Sequence, residues 1–184
     1  MLEPKFQPFP VLKTKRLLLR QMTLDDAPEI FVLRSNEDVL RFVGKEPATT
    51  IGEAIDFITL INDNIATNQA IQWGIALQEQ PAKLIGNICF WNIQREHYRA
   101  EIGYTLHPDH WRKGLMKEAI LEVVDYGFNN LQLHSIEARL NTANLASAAI
   151  LETTGFIREA HFKENYYFDG KFLDTLVYCL LICD

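Results

Sequence analysis

The chain is poor in cysteine: Cys89, Cys179 and Cys183 are the three among 184 residues. An odd count with no CxxC pair argues against a disulfide framework or a zinc knuckle. Cys89 and Cys179 sit inside apolar runs, where buried free thiols are usual. Long hydrophobic runs are also missing. No stretch approaches the roughly 20 apolar residues that cross a bilayer, and Met1 to Pro10 holds no apolar block of the signal-peptide kind. A cytoplasmic protein without a membrane partner is expected. Basic residues are outnumbered, 18 against 24 acidic ones, for a formal net charge of -6. That balance argues against a nucleic-acid backbone as main partner and suits a cationic acceptor better. No repeat, low-complexity tract or Pro/Gly/Ser-rich linker divides the chain, so one domain spanning 1–184 is expected. That length can bury a sizeable core.

What is present alternates between strand and helix signals, the pattern of an α/β domain. Arg16 to Arg20 reads as a first strand. Thr23 with Asp26 and Thr50 with Glu53 form capping boxes, the second in full. They open helices whose apolar stripes are Leu24, Ala27, Ile30 and Phe31, then Ile51, Ala54, Ile55, Ile58 and Ile65. Ile71 to Leu77 alternates as a half-buried strand, Gln80-Pro81-Ala82 reads as a turn, and Leu84 to Trp91 as a more buried strand. Ala100 to Leu106 follows, with Glu101, Gly103 and Thr105 on one face and Ala100, Ile102, Tyr104 and Leu106 on the other. A helix from Gly114 carries Met116, Ile120, Val123, Val124 and Phe128 on one stripe. His134 to Leu140 reads as a strand. Asn144 caps a short helix with Ala146, Ala149, Ile150 and Thr153 on its apolar side, closed by Gly155. Asp169-Gly170 joins the last two strands, 156–168 and 172–182, as a hairpin.

The segment Glu101 to Ala119, EIGYTLHPDHWRKGLMKEA, carries the most chemistry. A strand ends, a polar loop turns, and a helix begins at a glycine. The first amides of a helix lack intrahelical partners and, with the helix dipole, attract an anion such as a pyrophosphate. Gly114 lets the backbone approach such a ligand, and Arg112, Lys113 and Lys117 add positive charge. A plain strand-turn-helix with a solvated basic loop fits the same residues. The loop has neither GxxxxGK[ST] nor GxGxxG, which excludes an NTPase P-loop and disfavours a dinucleotide site.

This run is similar to the central motif of the GNAT superfamily of N-acetyltransferases. It most resembles the RimJ/RimL-like branch, which acetylates ribosomal-protein N-termini. In that superfamily a Q/R-x-x-G-x-G/A loop binds the pyrophosphate of acetyl-CoA through backbone amides. Trp111 stands at the Q/R place, Gly114 at the first glycine, and Met116 at the last position, where Gly or Ala is usual. The resemblance implies acetyl-CoA contacts at Arg112, Lys113, Gly114, Leu115, Met116 and Lys117. Asn141-x-x-Asn144-x-x-Ser147 followed by Gly155-Phe156 is a second match. There an Asn contacts pantetheine and a hydroxyl faces the CoA sulfur. Asn144 as a helix cap and Ser147 as its third residue account for the same pattern without a ligand. The implied fold is a mixed, mostly antiparallel twisted sheet flanked by helices, with two central strands splayed around the thioester.

Acetyl transfer needs an amine to lose its proton, an oxyanion to be stabilised and a thiolate to leave. Glu101, a carboxylate in an apolar strand, is the candidate base. An ion pair with Arg99 or Arg139 is the alternative. Ser147 is the candidate acid, because Leu151 occupies the place where many relatives carry a Tyr. Tyr166, Tyr167 or a water could serve instead. The oxyanion donor is expected to be a backbone N–H near Leu106. The acceptor is expected at the first two helices, at Arg41-Phe42-Val43 and at the last hairpin. It is an amine, with a protein N-terminus first and a polyamine or antibiotic as alternatives. A non-catalytic acyl-CoA sensor is the competing class. His107 and His110 flank Pro108 and no HExxH occurs, so no metal is expected. A monomer or homodimer is expected.

Overall fold

The computed structural model describes residues 1–182. Its strands are β1 (Leu12–Lys13), β2 (Leu17–Arg20), β3 (Ile71–Leu77), β4 (Gln80–Gln94), β5 (Arg99–Leu106), β6 (Ser135–Asn141), β7 (Ile157–Phe168) and β8 (Lys171–Leu181). Its helices are α1 (Ala27–Ser35), α2 (Glu37–Leu40), α3 (Ile51–Ala66), α4 (Leu115–Asn129) and α5 (Leu145–Thr153). Cys183 lies outside the described residues. The strands form one sheet in the order β1-β2-β3-β4-β5-β6-β8-β7. The β5–β6 pair is parallel and the other neighbours are antiparallel, the mixed arrangement expected.

That parallel pair is short. It joins Arg99 to Ser135, Ala100 to Ile136 and Glu101 to Glu137, and then stops. β5 continues to Leu106 while held by β4, and β6 continues to Asn141 while held by β8. Each strand is therefore ordered on its outer side and unpaired on its inner side, which leaves a wedge rather than a frayed edge. The carboxylates Glu101 and Glu137 stand at its apex.

Local chemistry fixes the elements around this wedge. Thr50 accepts from the Glu53 amide at 3.4 Å while Glu53 accepts from the Thr50 amide at 3.2 Å, starting α3. The Asp26 carboxylate takes the Thr23 amide at 2.8 Å and pairs with Arg20 at 2.7 Å. Under the sheet, Leu115, Met116, Ala119, Ile120 and Val123 of α4 join the main core. A Cβ on Gly127 would lie 2.9 Å from the Phe90 ring, so this glycine is what lets α4 press against the strands. Asp169 and Gly170 both have positive φ, 46° and 73°, which is the turn that a two-residue hairpin requires.

Several expectations need correction. The turn between β3 and β4 is Gln78–Glu79, and Gln80-Pro81-Ala82 lies inside β4. Pro81 falls where the register slips between the Leu77–Gln80 and Ala76–Leu84 pairs, a bulge that needs no ladder N–H there. In α3 the buried stripe is Ala54, Ile58, Ile61 and Ile65, with Ile51 and Ile55 exposed. Leu24 sits in a short 3-10 turn ahead of α1 and is exposed. In α5 the inward side is Ser147, Ala148, Ile150 and Leu151, while Ala146 and Ala149 face outward. The four-residue helix α2 separates α1 from Arg41-Phe42-Val43.

Candidate active site at the splayed strands

The loop from β5 to α4 has a defined anion-receptive shape. Arg112 and Gly114 are both left-handed, with φ 58° and 71°, and such turns aim successive amides at one point. The first i to i−4 bond of α4 is Glu118 N–H to Gly114 O at 3.2 Å. The amides of Leu115, Met116 and Lys117 therefore precede the helical ladder. The Arg112, Lys113 and Lys117 side chains are exposed around them. Met116 is only 6% exposed and its side chain joins the core. A bulky residue at that position thus leaves the amide edge open. The loop is also clamped from behind, by a contact that sequence reasoning missed. Arg16 donates to the Lys113 carbonyl at 2.9 Å and pairs with Glu118 at 2.7 Å. Glu118 also accepts from the Arg16 amide at 2.8 Å and the Thr14 hydroxyl at 2.5 Å.

Inside the wedge, the backbone of β5 is available. The His107 amide bonds the Ile85 carbonyl at 2.8 Å, across β4. Backbone groups alternate sides along a strand, so the amides of Leu106 and Tyr104 point away from β4, toward the side that β6 has left. The Leu106 carbonyl is already engaged by the Trp111 indole N–H at 2.6 Å, which pins the end of β5 to the loop. Across the gap, Asn144 Oδ1 caps α5 by accepting the Ser147 amide at 3.1 Å. Ser147 Oγ lies 2.7 Å from the hydroxyl of Tyr104. Burial pushes the Tyr104 phenol up to about 12, only partly offset by the bond to Ser147. Tyr104 therefore stays protonated and available as a donor at neutral pH. Leu151, one turn further along α5, is fully buried and offers no polar group.

Glu101 is on the opposite face of β5 from Tyr104. It is 8% exposed. Burial raises its carboxyl above the ordinary range, and the nearby Arg139 only partly counters this. Arg139 Nε is 4.0 Å from Glu101 but 2.5 Å from Glu137. Arg99 also bonds Glu137 and not Glu101. Burial works to raise Glu137 as well, but hydrogen bonds from both arginines outweigh it and hold that carboxyl low. Cys89, on the same face, has its thiol pushed up to about 12 by burial, so it is not a reactive thiolate.

Beyond this face, Gly44 at φ 66° leaves room for the Tyr166 hydroxyl, which stands where a Cβ would be. The loop after Arg41-Phe42-Val43 thereby meets the β7–β8 hairpin. Tyr166 stacks with Phe168, and Tyr167 packs on Phe172 at 5.0 Å, so both tyrosines serve hairpin packing. His107 lies 3.6 Å from Asp109 and His161 lies 2.6 Å from Asp174. Among the described residues no group of three His, Cys, Asp or Glu side chains converges as a metal site would. No described helix is long and apolar enough to cross a membrane.

A wedge with free strand amides, beside a helix start shaped for an anion, suits a thioester carried on a pyrophosphate. The sequence relatives agree. Residues 16–157 match the acetyltransferase (GNAT) domain family. The chain is 40% identical over 173 residues to the uncharacterized N-acetyltransferase YoaA of Bacillus subtilis (strain 168), covering 94% of this chain and 97% of that protein. The spermidine N-acetyltransferase from Vibrio cholerae, solved with CoA and spermine, is 26% identical with a TM-score of 0.80, covering 91% of this chain and 96% of that one. The ribosomal-protein-S5-alanine acetyltransferase from Vibrio fischeri shares the fold at 22% identity and TM-score 0.82, covering 94% and 96%. The chain belongs to the GNAT family of acetyltransferases and is an N-acetyltransferase.

Proposed function

We propose that this enzyme moves the acetyl group of acetyl-CoA to a primary amine at the apex of the β5–β6 wedge. One observation carries the reading. The parallel pair ends with Glu101 on one face of the sheet, while Tyr104 and Ser147 meet on the other. A base and a hydroxyl donor so placed let the amine and the departing sulfur occupy opposite sides of the carbonyl. The amides from Gly114 to Lys117, with Arg112 and Lys113, would hold the pyrophosphate. Leu106 and Asn144 would border the pantetheine. Glu101 takes the amine proton, and its raised carboxyl suits that task. The Leu106 or Tyr104 amide faces the developing oxyanion. Ser147 supports the leaving thiolate.

For the acceptor, the motif resemblance to the RimJ/RimL-like branch favours a protein N-terminal α-amine in the cytoplasm. A polyamine is the second reading, favoured by the spermidine-acetylating relative at 26% identity. An acceptor screen with acetyl-CoA, read by product mass, tests both against each other. Acetylated N-terminal peptides support the first and acetylated spermidine the second. Tight acetyl-CoA binding with no amine consumed would instead mark an acyl-CoA sensor.

A further inference from the structure

The face behind the wedge holds more charge than one base needs. Glu101 and Glu137 are 8% and 9% exposed and stand side by side in the last parallel pair. Two carboxylates so close cannot both ionise without compensation. The compensation is lopsided. Arg99 and Arg139 both bond Glu137, one from across the pair on β5 and one from two residues along β6. Of the two arginines, Glu101 meets only the flank of Arg139, at 4.0 Å, which is beyond hydrogen-bond range. Apart from Arg139 and Glu137 its neighbours carry no charge: Trp91 is its partner on β4, Cys89 lies nearby, and the Asn92 side chain hydrogen-bonds it, a smaller lowering influence than the burial that raises it. Arg99 turns on toward the Cys179 sulfur of β8 at 3.0 Å, and Glu159 of β7 also faces that thiol.

We propose that Glu137 is a positioning residue for the transfer reaction: by holding Arg99 and Arg139 together, it keeps a cation from closing on Glu101 and leaves that carboxylate basic. The inference rests on the proposed role of Glu101. A guanidinium in full contact would depress a carboxylate by roughly 1–3 pH units. A carboxylate held that low is a poor proton acceptor near neutrality. Glu137 takes up that attraction, and its own negative charge adds to the basicity of its neighbour. The arrangement is thus a division of labour between two carboxylates, one ionised and tethered, the other free to accept a proton.

The test reads the Glu101 carboxyl directly, by 13C NMR titration of protein labelled at its glutamate side-chain carbons. Glu101→Gln assigns the resonance by removing it. Glu137→Gln keeps the shape but removes the charge and turns one of the two oxygens that hold Arg99 and Arg139 into an amide NH2, which cannot accept. It should move the Glu101 midpoint down by about one unit, as Arg139 turns to the remaining carboxylate. Arg139→Gln should move it up by about as much, because a cation is removed. In turnover, the acid limb of kcat that Glu101→Gln abolishes should follow the same opposite shifts, with KM for acetyl-CoA unchanged. An unmoved or raised midpoint in a folded Glu137→Gln variant overturns the inference, as does an unmoved midpoint in Arg139→Gln. Either result leaves the base assignment standing if Glu101→Gln loses turnover. Full turnover in Glu101→Gln removes that assignment and this inference with it.

Discussion

Replacing Tyr104 by Phe removes a single oxygen from the wedge, and the structure says what that oxygen does. It lies 2.7 Å from Ser147 Oγ. With the phenol pushed up to about 12 by burial, Tyr104 keeps its proton throughout the neutral range and can serve as the donor of this pair. The Ser147 hydrogen is then free to point at the sulfur. A neutral hydrogen bond contributes about 0.5–1.5 kcal/mol net, so losing the orientation should lower kcat by about 2- to 12-fold. Ser147→Ala removes the donor itself and should cost more, about 100-fold if a proton is transferred. The decisive quantity is the double-mutant cycle. In the Ser147→Ala background, Tyr104→Phe should cost nothing further in kcat, because the hydroxyl it oriented is gone. KM for acetyl-CoA should stay within a few fold throughout. Single-turnover rates at saturating acetyl-CoA, with a melting curve for each variant, supply the four corners. Additive losses, or a Tyr104→Phe enzyme with full kcat, would refute the idea that the pair acts as a unit.

Gly114→Val forces a branched residue into the left-handed region at φ 71°, a strain of about 1–2 kcal/mol. Its Cβ would meet only Arg16 Nη2 at 3.6 Å, so the fold should survive. CoA affinity by calorimetry should fall about tenfold as the amides rotate away, and an unchanged Kd would make the loop merely structural. Arg16→Ala frees the Lys113 carbonyl and breaks the pair with Glu118, so it should raise the CoA Kd severalfold with kcat at saturation unchanged. A loss confined to kcat would contradict this clamp. Leu151→Tyr should not rescue Ser147→Ala, because Leu151 is fully buried. Overpacking there should cost about 1–3 kcal/mol, seen as a melting temperature lower by several degrees, whereas regained turnover would show that the new hydroxyl reaches the sulfur.

The sequence declares what local chemistry determines. Gly114, Asn144, Gly155 and Asp169-Gly170 each mark a terminus or turn whose geometry depends on one or two residues, and each is found in that role. Glu101 stands out because a carboxylate in an apolar strand is costly unless it is used. The misplaced turn at Gln80-Pro81-Ala82 shows the limit. Proline is a strong local signal, yet a bulge in the sheet absorbs it. Periodicity found α3 and α5, but the buried face of each is set by the neighbours it meets. The Tyr104–Ser147 contact joins residues 43 positions apart. The Glu101–Glu137 pair exists only through the parallel register. Neither has a spacing signature, so neither Tyr104 nor Glu137 is legible before the strands are placed. Arg16 is likewise visible as a strand end and not as the clamp of a loop 97 residues away.

The central claim is that Glu101 accepts the amine proton at the apex of the splayed strands. Its most direct measurement compares amine-dependent CoA release by the wild-type and Glu101→Gln enzymes across pH, alongside acetyl-CoA binding and melting curves. A kcat loss of roughly 10²–10⁴-fold is expected near neutrality. The loss should narrow as pH rises toward the amine's own pKa, with acetyl-CoA affinity unchanged. A folded Glu101→Gln enzyme with near-normal turnover at neutral pH would contradict it, as would a pH-independent loss that tracks a lowered melting temperature.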